Sequence, residues 1–120
     1  MRTVLSAFSA SVLLFAATAS VCGQHKGTQM TIKGEVVDMW CYLEGGDRGA
    51  AKKDCATACA KAGNPIAVLD DQGTLHVAAG LMDHQPAQAL LASRMSEVVT
   101  VTGTVVTKGG VQMVYIQSVK

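Results

Sequence analysis

The chain has 120 residues, ten Lys and Arg against nine Asp and Glu, and four cysteines. A chain this short holds one small domain, near the size at which a single core is marginal without a covalent or metal staple. A near-neutral balance with no basic stripe, and only 4% aromatic residues, excludes a general nucleic-acid binder and a binder of anionic membranes.

Met1-Arg2-Thr3 opens the chain, followed by an apolar run from Val4 to Ala17 broken only by small serines, then Ala17-Thr18-Ala19. A basic start, a short apolar stretch and an A-x-A site predict a secretory signal peptide over residues 1–19. The run is shorter than the ~20 apolar residues a bilayer asks for, so no membrane span is expected. Losing residues 1–19 removes Arg2 and no acidic group, which brings the net charge from +1 to zero. The expected location is periplasmic or secreted, where paired cysteines oxidise. Cleavage after Ala19 retains Cys22, and cleavage as late as Gly23 removes it. A lipid anchor at Cys22 is disfavoured, because bulky Val21 stands where a small residue is needed.

Residues 20–29 read as a flexible polar lead, and residues 30–120 as one folded domain. From Met30 to Cys41 the alternation and β-branched content predict a strand, with an apolar parity switch around Gly34 to Val37 that marks a bend or bulge. Glu44 to Gly49 reads as a turn. An alanine-rich helix then runs from about Ala50 and is stopped by Gly63 and Pro65. On it Ala51, Cys55, Ala58, Cys59 and Ala62 share one apolar face. Ile66–Leu69 and Thr74–Ala78 flank the turn Asp70-Asp71-Gln72-Gly73 as a hairpin. A second helix follows Pro86 over Ala87–Met95. Glu97–Thr107 and Val111–Val119 form the clearest hairpin. Thr31-Ile32-Lys33-Gly34-Glu35-Val36-Val37 echoes Thr100-Val101-Thr102-Gly103-Thr104-Val105-Val106, with glycine in mid-strand each time. That placement fits two long strands of a tightly curved barrel.

The expected fold class is therefore mainly β with two short helices. Its order is that of a small five-stranded OB-like β-barrel with a cysteine-bearing helical insertion between strands 1 and 2. Over residues 30–119 the chain resembles small exported bacterial OB-fold proteins. Gly34-Glu35-Val36-Val37-Asp38, Cys41, Cys55-Ala56-x-x-Cys59 and Gly63-x-Pro65 are similar to a pattern in small secreted bacterial domains of unsettled function. That pattern carries a histidine where this chain has Lys52, a departure that counts against a metal role here. The chain is also similar in fold and compartment to exported OB-fold copper chaperones, which hold Cu(I) with methionines and a histidine beside a tryptophan. On a strand, Met39 and Trp40 point to opposite faces, so those roles do not carry over.

The candidate site is the cysteine cluster. Cys55 and Cys59, at i and i+4, project two sulfurs to one side of a helix, and Cys41 completes a three-thiolate set for a soft ion such as copper or zinc. Met39 or His76 are candidate supplements, and Met39, Trp40 and Tyr42 are expected in the core or lining a groove. The competing reading is a disulfide from Cys41 to Cys55 or Cys59, stapling a module that binds an exported protein or a small ligand with no metal. Closing that loop contributes about 3 kcal/mol. No C-x-x-C, catalytic triad, phosphate loop or paired-carboxylate motif is present, so no enzymatic reaction is read from the sequence.

Overall fold

The computed structural model describes residues 25–120. The expected signal peptide and Cys22 lie outside these residues. Five strands, β1 (Thr28–Asp38), β2 (Ile66–Asp70), β3 (Leu75–Gly80), β4 (Val98–Lys108) and β5 (Val111–Val119), close into a barrel in the order β1-β2-β3-β5-β4. β3 and β5 run parallel, while every other neighbouring pair is antiparallel. This is the expected five-stranded OB-like barrel. A helical insertion connects β1 to β2, and a short helical segment connects β3 to β4.

Period-2 alternation of β-branched residues fills the barrel. Ile32, Val36, Val68, Val99, Val101, Val114 and Ile116 are buried in one cluster, and their stiff side chains suit a pleated surface packed from within. The parity switch in β1 arises because that strand serves two halves of the barrel. Residues from Thr28 to Glu35 pair with β4, and those from Gly34 to Asp38 pair with β2. Gly34 stands in both ladders, opposite Val99 and Asp70. A Cβ there would run into the Leu69 carbonyl, and one at Gly103 into the Tyr115 carbonyl. Gly103 also marks the register shift between β4 and β5. The matched glycines are the points where backbone crosses backbone too closely for a side chain.

Several element boundaries differ from the sequence reading. β1 ends at Asp38, and Met39 to Gly45 form a helix, α1, so the described residues carry three short α-helices and not two. The second, α2, spans Lys53–Lys61 and the third, α3, spans Gln88–Leu91 before a 3-10 turn over Ala92–Arg94. Ala87, Leu91 and Met95 from this last segment bury into the barrel core. Order also begins earlier than Met30: the His25 ring stacks on Tyr115 at 3.5 Å, and its Nε2 lies 3.1 Å from the Leu81 carbonyl oxygen. Among the described residues no helix is long and apolar enough to cross a membrane.

Candidate metal centre

Helix α1 forms because Asp38 caps it. The Asp38 backbone is extended, and its Oδ2 accepts a hydrogen bond from the Cys41 N–H at 3.1 Å, satisfying an amide that the first helical turn leaves without a partner. The Met39 N–H donates to the Pro65 carbonyl at 3.0 Å, closing the base of the insertion. Met39 and Tyr42, three residues apart, both pack against a second small cluster of Val37, Ala67 and Leu69. They are the anchors that lay α1 over the sheet. Trp40 faces the other way, 66% exposed, with its Nε1 donating to Glu44 at 3.1 Å. It is not a core residue.

Helix α2 starts at Lys53, after a 3-10 turn over Ala50–Lys52. The face it buries is Ala56 and Ala60, which join the barrel core. Ala51, Ala58 and Ala62 are exposed, Cys55 is exposed and Cys59 half-buried. The expected apolar stripe is thus displaced by one residue. One position is ~100° of helix rotation, so the cysteines sit on the edge beside the buried face. Lys53 bonds Glu97 at 2.8 Å, and Arg94 meets the same carboxylate at 2.6 Å. At the other end of the insertion, the Gly49 N–H donates to Glu35 of β1. Lys52 pairs with Asp47 at 2.9 Å.

These supports bring Cys41 of α1 and Cys55 and Cys59 of α2 together. Their three sulfurs lie within 4.8 Å of one another. All three thiols are free, so the disulfide expected as the alternative is not formed. Asp38 beside it, then burial, then neighbouring Cys59 push the Cys41 thiol up to about 12. Burial first, with Asp38 and Cys55 adding to it, raises Cys59 as well. What the arrangement offers is convergence of soft donors. Asp38 itself is 2% exposed, and its Oδ1 has no hydrogen-bond partner.

The supplementary ligands suggested by the sequence do not join the group. Met39 is committed to the cluster under α1. His76 is 3% exposed, and its Nε2 lies 3.0 Å from Asp70 Oδ2. Asp70 Oδ1 accepts from the Gln72 and Thr74 amides, as the turn chemistry predicted. Burial works to raise the Asp70 carboxyl, but the His76 bond and the two amides outweigh it and hold the group below its ordinary value. This pair lines a cleft with Lys33, Glu35 and Arg48. Sequence reasoning missed it, although His76 falls on the inward parity of β3 with Ala78.

The helix α1 was legible in principle: Asp38 is a good cap, Met39 and Tyr42 have helical spacing, and Gly45-Gly46 is a stop signal. The chain matches no protein-family model, and no curated protein or solved structure is significantly similar to it.

Proposed function

We propose that this protein is an exported metal-binding module that holds a soft ion, copper or zinc, through Cys41, Cys55 and Cys59. The observation that carries the reading is the convergence of three free sulfurs, from two separate helices, to within 4.8 Å. A metal–sulfur bond of about 2.3 Å puts ligating sulfurs roughly 3.8 Å apart in a tetrahedral shell, so the separation fits a shared ion. The two helices are each fixed to the barrel by their own contacts, which prearranges the donors. Export is supported by the basic, apolar and A-x-A pattern of residues 1–19.

The test is metal content. Reduced protein should take up one equivalent of copper or zinc, and Cys41→Ser should take up none while keeping its circular dichroism. Equal metal content in both proteins would overturn the reading. Trp40 and Leu43, each 66% exposed on the helix that carries Cys41, support an exported protein partner docking beside the metal.

A further inference from the structure

Asp38 presents an unusual combination. It is 2% exposed, one oxygen accepts the Cys41 N–H at 3.1 Å, and the other, Oδ1, is buried with no hydrogen-bond partner. Carboxylate oxygens taken out of water are strongly disfavoured unless a donor or a cation compensates them. Among the described residues no N–H or O–H donor reaches Oδ1, and the nearest candidate is the Cys41 thiol, which metal binding would deprotonate. Asp38 lies at the sulfur group's edge, because it caps the helix that carries Cys41 and its Oδ2 accepts that residue's N–H. The compensating group that fits this position is a cation held by the sulfurs.

The donor count gives the same answer. A zinc-type divalent ion takes four ligands in a tetrahedral shell, and three cysteines leave it one short. A ligating carboxylate is ordinarily oriented by a hydrogen bond to its second oxygen, and the Cys41 amide already supplies one to Oδ2. Charge distinguishes the candidate ions. Three thiolates around Cu(I) carry an excess of negative charge that repels a further carboxylate, whereas a divalent ion gains from one.

Building on the metal-binding reading, we propose that Asp38 is the fourth ligand through Oδ1, forming a Cys3Asp set that selects a zinc-type divalent ion over Cu(I). The carboxylate lies outside the group of atoms within 4.8 Å of one another. Loading therefore draws Oδ1 toward the sulfurs while Oδ2 keeps the cap of α1.

The experiment compares the reduced full-length protein with Asp38→Asn. Asn caps a helix as well as Asp, so α1 is retained while the anionic ligand is lost. Zn(II) and Cu(I) affinities are measured by chelator competition, and Co(II) serves as a spectroscopic substitute for zinc. Asp38→Asn should weaken Zn(II) by about tenfold or more, shift the d–d bands of the Co(II) form, and leave Cu(I) affinity unchanged. If Asp38→Asn fails to fold, Asp38→Ser, which also caps, is read in the same way. Unchanged Zn(II) affinity and an unchanged Co(II) spectrum would reduce Asp38 to a helix cap and leave the three-cysteine reading standing. Wild-type protein with three reduced thiols that binds neither ion would overturn both.

Discussion

The barrel and the β1–β2 insertion are built on opposite principles. The barrel buries β-branched and aliphatic side chains against one another in a continuous cluster, and its stability follows from apolar area removed from water. The insertion, residues 39–65, contributes only Ala56 and Ala60 to that cluster. Its small second contact, Met39 and Tyr42 on Val37, Ala67 and Leu69, holds α1 in place. Much of its remaining order comes from polar ties: the Asp38 cap, the Glu35–Gly49 bond and the Lys53–Glu97 pair. The contrast teaches that the barrel can stand without the sulfurs, while the sulfurs are positioned by a segment too small to stand without the barrel.

The largest expected effect lies in the barrel. Leu91→Ala, at a side chain with no exposed surface, should cost about 2–5 kcal/mol in urea unfolding and leave the metal equivalents per folded protein unchanged. Loss of metal from the folded variant would break the independence of the two regions. Next comes ligand linkage: zinc at a hundredfold excess over its Kd should stabilise the wild type by about 2.7 kcal/mol, and Cys41→Ser should show no such gain in the same melt. A shift of equal size in both proteins would place the metal elsewhere. Gly34→Ala, which drives a methyl into the Leu69 carbonyl, should destabilise by about 1–3 kcal/mol. It acts at the strand shared by both halves of the barrel, upstream of the site.

The smallest effect is a pH dependence confined to the barrel. Asp70 is held below its ordinary value, so its contribution is fully present above the unfolded carboxyl pKa of about 3.9 and disappears as the pH falls through the lower folded value. Asp70→Asn should flatten that part of the acid limb of the urea midpoint, and Cys41→Ser should leave it intact. An acid limb unaltered in Asp70→Asn would remove the His76–Asp70 pair from the account of barrel stability.

The barrel was legible because period-2 patterns, glycine turns and the echo of Gly34 in Gly103 are local signals that tertiary packing reinforces. The site was legible only as a set of residues. Cys41, Cys55 and Cys59 are recognisable as one cluster, but Met39 to Cys41 read as the end of a strand. A capped helix of seven residues is too short for periodicity to override the β-like run before it. The rotation of α2 was misread for a related reason. Five small residues at helical spacing define a face, but in an alanine-rich helix the neighbouring face through Ala56 and Ala60 is nearly as apolar, and contact with the barrel decides between them.

By itself, then, the sequence determined the strand order, the barrel class and the location of the sulfur chemistry, all of which follow from patterns within a few residues of one another. The tertiary structure alone decided that the three thiols converge unpaired, that Trp40 faces solvent, that His76 pairs with Asp70, and that Asp38 is buried with one oxygen unpartnered at the start of the helix that carries Cys41. Each of these depends on where two separately anchored elements meet, and that distance is set by packing on the barrel and has no counterpart in residue spacing.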